Sequence, residues 1–227
     1  MPSPVAEDAD DGRPQLPADP PAVPDWEFVR WYGPTSPIHP TALRRLFDGA
    51  PFPWWVVGGW SLEADSRSPR RVHDDTDVAV PLAAAGAVRQ WMSGYQLWQT
   101  YPGLRPVLPG EPLPRNLHQM WVRRDAYSPW LMDLALTPVD GPDWVFRPDP
   151  RVRRPLSDVV RSGPDGVPHQ VPEIGLLFKA RHARAKDERD LHDVLPRLDS
   201  PAREWLLRSL ELVAPGHPWL DRISALG

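Results

Sequence analysis

Trp54-Trp55-Val56-Val57-Gly58-Gly59-Trp60-Ser61-Leu62, followed shortly by His73-Asp74-Asp75-Thr76-Asp77-Val78-Ala79-Val80, decides the fold. The first four residues are an apolar run that ends in two glycines, which predicts a buried strand closed by a turn. Residues 60–65 predict a helix directly after the glycines. The amides of Gly58 and Gly59 would then sit at a helix N-terminus, where unpaired N–H groups attract anions. Residues 77–80 predict a second strand, ended by Pro81. Side chains alternate across a strand, so Asp75 and Asp77 project to one face and Thr76 to the other. Two neighbouring carboxylates raise each other's pKa, and a divalent cation is the simplest compensation. The pattern reads as a phosphate cradle beside a metal site.

Asp133 is the third carboxylate of interest. It stands alone in the apolar run Trp130-Leu131-Met132-Asp133-Leu134-Ala135-Leu136, which predicts a strand buried on both faces. A carboxylate there must be protonated, bound to a cation or paired, with one of the many arginines as the structural alternative. If this strand neighbours that of Asp77, three carboxylates converge.

The 227 residues, 41% of them hydrophobic, suffice for one sizeable core with a small helical appendage. The net charge of −4 is concentrated at the start, where Glu7, Asp8, Asp10, Asp11, Asp19 and Asp25 face only Arg13. Seven of the 32 prolines fall in the same stretch, with almost nothing large and apolar. Residues 1–24 therefore predict a disordered acidic tail. No basic-then-apolar leader and no membrane-length apolar run is present, so a soluble, cytoplasmic protein with no membrane partner is expected. With no cysteine, any metal must use oxygen or imidazole ligands, which favours hard divalent cations.

Along the rest of the chain, residues 41–47 predict a short helix capped by Thr41, and residues 82–92 a second helix. Residues 95–100, 118–123 and 130–136 predict strands, and 158–162 with 167–171 a hairpin around Gly163-Pro164-Asp165-Gly166. From Pro172 the pattern becomes helical, over 172–183, 186–195 and 201–213. Strands followed by helices predict an α+β fold: a core over residues 25–171, with a helical region over 172–227 packed on it.

The motif Gly58-Gly59-Trp60-Ser61-Leu62, with Arg71, His73, Asp75, Asp77 and Val78, resembles the GGWAL…R-x-H-x-D-x-D-[IV] signature of the DNA polymerase β-like nucleotidyltransferase superfamily. The spacing is most similar to its aminoglycoside 2″-adenylyltransferase and lincosamide nucleotidyltransferase branch. Asp133 resembles the third aspartate of that family, and Pro172-Glu173-Ile174-Gly175-Leu176-Leu177-Phe178-Lys179-Ala180 resembles its PE-x-x-LL-[FY]-KA helix. Lys186-Asp187-Glu188-x-Asp190-Leu191 and Pro215-Gly216-His217-Pro218-Trp219-Leu220 extend the similarity, which spans residues 40–220.

The resemblance implies a mixed sheet flanked by helices. It implies nucleotide contacts from Gly58, Gly59, Ser61, Arg71 and Lys179, and Mg²⁺, two ions in all, on Asp75 and Asp77. Asp133 would complete the metal site or act as general base. The implied reaction moves AMP from ATP, a nucleoside triphosphate co-substrate, to a hydroxyl of a small antibiotic-like acceptor, conferring antibiotic resistance. Where relatives carry D-L-x-L-G-R, this chain has Glu63-Ala64-Asp65-Ser66-Arg67, so Arg67 replaces a turn glycine.

Other residues have two readings. Arg70 and Arg71 could neutralise phosphates or be solvated, and His73 could orient a carboxylate or make a structural hydrogen bond. Lys179, His182 and Lys186 could form a basic stripe or a solvated helix face. Trp98, Trp121 and Trp130 could line an acceptor pocket or pack in the core. The short basic runs over 151–154 and 181–184 do not make a nucleic-acid footprint. A polycationic acceptor would need an acidic cleft, and the sequence offers only Asp65, Asp74 and the metal site. Alternative functions are a toxin-like nucleotidyltransferase acting on RNA or protein, and a nucleotide-binding protein that has lost catalysis.

Overall fold

The computed structural model describes residues 25–64 and 72–226. The chain divides into two compact units, residues 1–33 and 34–227. In the first, helix α1 (Asp25–Tyr32) brings Phe28 and Tyr32 into ring contact one turn apart. The tail expected over residues 1–24 lies outside the described residues.

The second unit runs α2 (Pro40–Leu46), β1 (Trp55–Val56), α3 (Gly58–Leu62), β2 (Asp77–Pro81), α4 (Ala85–Trp91), β3 (Gln96–Gln99) and β4 (Arg105–Pro106). It continues with β5 (Gln119–Arg123), β6 (Trp130–Thr137), β7 (Val139–Asp140), β8 (Asp143–Val145), β9 (Arg153–Pro155), β10 (Val160–Ser162) and β11 (Pro168–Gln170). Four helices close it: α5 (Pro172–Ala180), α6 (Ala185–Val194), α7 (Ser200–Val213) and α8 (Trp219–Ser224). Eight strands form one sheet in the order β10-β11-β1-β2-β6-β5-β3-β4, and β7-β8-β9 form a second. The β1–β11 and β2–β6 pairs are parallel and the other neighbours antiparallel, so the large sheet is mixed, as expected of the α+β class.

Strand alternation sorts the core into two layers. Val78, Val80, Leu134 and Leu136 point to one face, where they pack with Leu43, Val88 and Met92 from α2 and α4 and the turn after α4. Ala79 points to the other, whose core is built from Ile174, Leu177, Leu191, Leu206 and Trp219 of the C-terminal helices. The two helices nearest the site touch closely at Gly175, where an added Cβ would stand 2.9 Å from Leu62 Cδ2. A glycine in α5 thus lets α3 dock against it.

The first predicted helix starts one residue early. Pro40, with φ already helical, takes its first position, so the cap is His39, whose side chain accepts from Thr41 N, rather than Thr41. The segment from Leu82 begins as a 3₁₀ turn before α4. Strands β4 and β7–β9 were not anticipated, because two or three residues are too few to show a period. Helices α1 and α8 were also missed.

Candidate active site

The chain leaves β1 and enters α3 through Gly58, whose φ of +67° suits glycine and makes the strand-to-helix corner possible. Both glycines therefore lie inside the first turn of α3 and not ahead of it. An added Cβ on Gly58 would lie 2.3 Å from Asp77 Oδ2, so the backbone passes directly against this carboxylate. Val57 N donates to Asp77 O at 2.9 Å, tying the corner to the head of β2. Ser61 is fully buried and its hydroxyl donates to Gly58 O at 2.9 Å, so it braces the corner from within.

Asp75 precedes β2 and is exposed, while Asp77 opens the strand. Buried Thr76 points away and donates to Ile38 O at 2.8 Å, and Trp60 Nε1 donates to Asp75 O at 3.1 Å. These two bonds hold the Asp-x-Asp segment so that both carboxylates line one cleft. Across the parallel pairing, Asp77 is the direct partner of Asp133. Asp133 is 9% exposed; its Oδ2 accepts from Gln119 Nε2, and its Oδ1 is buried with no hydrogen-bond partner.

The electrostatics follow from that geometry. Burial, then repulsion from Asp75, pushes the Asp77 carboxyl up to about 7, against the pull of Lys179 and Lys186. Asp133 is also raised, by burial and then by Asp77, although hydrogen bonds from Gln119 and Trp121 oppose the shift. Two carboxylates are thus held side by side with too little positive charge among the protein's own groups. The cleft they share has a volume of about 480 Å³ and is lined by Gly58 and Gly59 of α3, Gln119 of β5, Phe178 of α5 with Arg181 just after it, and Lys186 of α6.

Some residues implied by the resemblance are otherwise engaged. Lys179 lines the cleft, but its ammonium lies 3.1 Å from Asp187 Oδ1 and 2.7 Å from Asp190 Oδ2. Asp187 is fully buried and also accepts from Arg184 N and Nε at the start of α6. Burial works against its charge, yet the bonds from Arg184 and Lys179 prevail and hold its carboxyl below the ordinary value. Lys179→Met should therefore destabilise the protein by about 3–5 kcal/mol, because two buried carboxylates lose a shared cation and Asp187 keeps only its bonds from Arg184. Denaturant unfolding of the pure variant checks this.

His73 is buried, stacked on Trp60 with ring centroids 4.1 Å apart, and its Nε2 lies 3.2 Å from Glu63 Oε2. It braces α3 through Glu63. Arg71, Arg70 and the Arg67 turn lie outside the described residues. Gln119, which no sequence motif marks, reaches Asp133 from the neighbouring strand β5. Only knowledge of the strand order would have pointed to it.

The donor set suits a hard cation. Among the described residues, no three His, Asp or Glu side chains make a metal cage by themselves. Magnesium ordinarily takes one or two carboxylates and completes its shell with water and substrate phosphate. An unpartnered Asp133 Oδ1 beside Asp77 fits that partial shell. A cation entering here must displace the Asp77 proton, so its affinity should fall about tenfold per pH unit below 7 and level off above. Titration calorimetry of Mg²⁺ with a non-hydrolysable nucleotide at pH 6 and 8 measures the slope.

A family profile described as Aminoglycoside-2''-adenylyltransferase matches residues 41–107. No curated protein sequence matches the chain. Among solved structures, the lincosamide antibiotic adenylyltransferase LnuA, bound to lincomycin, is similar at 18% identity, covering 67% of this chain and 92% of that one with a TM-score of 0.45. ANT(2'')-Ia in complex with adenylyl-2''-tobramycin shows 13% identity over 82% and 93% of the two chains, TM-score 0.40. An antigenic nucleotidyltransferase-like protein from Paracoccidioides brasiliensis shows 15% identity over 82% and 90%, TM-score 0.44. Among the described residues no helix is long and apolar enough to cross a membrane. The profile match contains the Gly58 corner and both carboxylates of the Asp-x-Asp segment, so over residues 41–107 the chain resembles the Aminoglycoside-2''-adenylyltransferase family.

Proposed function

We propose that the protein transfers a nucleoside monophosphate, AMP from ATP, to a hydroxyl of a small antibiotic-like molecule, with Mg²⁺ held by Asp75 and Asp77. The observation that carries this reading is the pairing of Asp77 with Asp133 under the Gly58 corner, two raised carboxylates facing one cleft. When bound, Mg²⁺ supplies neutralisation of the phosphate charge and Lewis-acid polarisation of the α-phosphate.

The protein's residues do the rest by placement. The corner at Gly58 brings backbone to the edge of the carboxylate pair, so phosphate oxygens can approach without meeting a side chain. Lys186, half-buried in the cleft wall and within electrostatic reach of Asp77, offers positive charge to the triphosphate. The acceptor oxygen bonds to the α-phosphorus as the bond from that phosphorus to the bridging oxygen breaks, and pyrophosphate leaves with the electron pair. Asp133 Oδ1 has the free lone pairs and the raised basicity to take the hydroxyl proton, and the same oxygen can complete the cation shell.

Incubation of the protein with Mg²⁺, each of the four nucleoside triphosphates and a panel of hydroxyl-bearing antibiotics, with RNA and protein extracts as further arms, tests the reading by mass. Addition of one nucleoside monophosphate to a small molecule supports it. Addition to RNA or protein favours a toxin-like enzyme, and tight nucleotide binding without any transfer favours a protein that has lost catalysis.

A further inference from the structure

The sheet face that carries Asp77 and Asp133 continues past the nucleotide cleft. In register, Asp133 pairs with Trp121 on β5, and Trp121 pairs with Trp98 on β3, so side chains of one parity run from the carboxylates to two indoles. Gln96 and Arg123 follow on the same face as direct partners. Trp121, Trp98, Arg123 and Gln96 are all half-buried, so the row is accessible. Trp121 hydrogen-bonds the Asp133 carboxylate and packs against Trp130 at a centroid distance of 5.5 Å.

Arg123 fixes the row. Its guanidinium stands 4.8 Å from the Trp98 ring centroid and 4.6 Å from that of Trp130, and its Nε donates to Gln96 Oε1 at 3.0 Å. Trp98 meets Trp130 edge to face at 6.1 Å. Rigid indoles beside a positive charge present apolar faces at little entropic cost. Strands β3, β4 and β5 carry no acidic residue and two arginines, Arg105 and Arg123. Beyond the carboxylate pair the shelf thus offers apolar ring faces and positive charge, and no acidic group of its own strands to hold a second cation.

We infer that the Trp121–Trp98 row is the acceptor shelf: it seats the sugar ring of an uncharged or singly charged glycoside with one hydroxyl at Asp133, and Arg123 excludes polycations. This rests on the nucleotidyltransferase reading of the adjoining cleft. The ring's C–H face lies on the indoles while its hydroxyls meet Gln119 and Gln96, one at each end of the row.

The test is ligand-observed saturation-transfer NMR on the full chain with Mg²⁺ and a non-hydrolysable ATP analogue, using methyl pyranosides, lincomycin and tobramycin as probes. Nucleotide binding is measured separately by calorimetry. The expected result is saturation of the pyranosides or lincomycin, with tobramycin unbound, and about tenfold weaker binding in Trp98→Ala at unchanged nucleotide affinity. Arg123→Gln should admit tobramycin. If the nucleotide binds but tobramycin is the only probe saturated, or if Trp98→Ala changes nothing, the shelf is wrong while the cleft reading stands. If wild-type protein binds no Mg²⁺–nucleotide, both fail. A Trp98→Phe variant, which keeps an aromatic face, should retain binding within about threefold and so guards against a misfolded alanine variant.

Discussion

Asp77→Asn is expected to abolish nucleotide transfer and, in the same molecule, to raise the melting temperature of the ligand-free protein at pH 8. The loss follows from position. Asp77 faces Asp133 across the parallel pairing and lies against the Gly58 corner, so it joins the two halves of the site. Removing a group that would hold the cation should lower kcat by about 10³-fold or more.

The gain in stability follows from the sign of the pKa shift. Burial raises the folded-state carboxyl to about 7, from 3.8. In that window the folded state binds more protons than the unfolded state, so stability is lost as pH rises from about 4 to 7 and the penalty is full above 7. Asparagine carries no such penalty, and relief of roughly 2–4 kcal/mol corresponds to about 5–10 °C. At pH 4 the variant and the parent should melt nearly together. Thermal scans at the two pH values, beside single-turnover assays, separate this from unfolding. A variant that lost both activity and stability would show Asp77 to be a structural carboxylate.

Gly58→Ala should cost at least about 100-fold in transfer while leaving the protein folded. Two constraints coincide there. The φ of +67° adds about 1–3 kcal/mol of strain for any L side chain, and the added methyl would sit 2.3 Å from Asp77 Oδ2. Backbone strain alone would lower stability with little effect on chemistry. Displacement of the carboxylate lowers cation affinity as well, so excess Mg²⁺ should partly restore the Gly58→Ala rate. A rate insensitive to Mg²⁺ concentration would place the damage elsewhere.

How far the site was legible depended on the range of the forces that build it. The Gly58 corner and the Asp75-x-Asp77 alternation are set by neighbours in sequence, so glycine freedom and strand period were enough to read them. Asp133 stood out as a lone charge in an apolar strand. Its place opposite Asp77 was conditional, because parallel pairing joins strands far apart in sequence and leaves no local mark. Lys179 was read as a nucleotide ligand from its helix motif, yet its ammonium is held by Asp187 and Asp190 of the next helix. His73 likewise faces Glu63, across the stretch of residues 65–71 that lies outside the described chain. Both pairings arise from packing of separate elements, which periodicity does not report. Trp98 and Trp121 stand out in the sequence as aromatic candidates for an acceptor pocket, but their alignment in one row beside Asp133 exists only in the β3–β5–β6 register.

The most direct measurement of the central claim is the phosphorus balance of the reaction in the presence and absence of Mg²⁺, for the parent protein and Asp77→Asn. With Mg²⁺, one pyrophosphate should be released for each nucleoside monophosphate joined to the acceptor, with no orthophosphate, and both products should vanish without Mg²⁺ or in Asp77→Asn. Orthophosphate in place of pyrophosphate, or full turnover by Asp77→Asn, would contradict it.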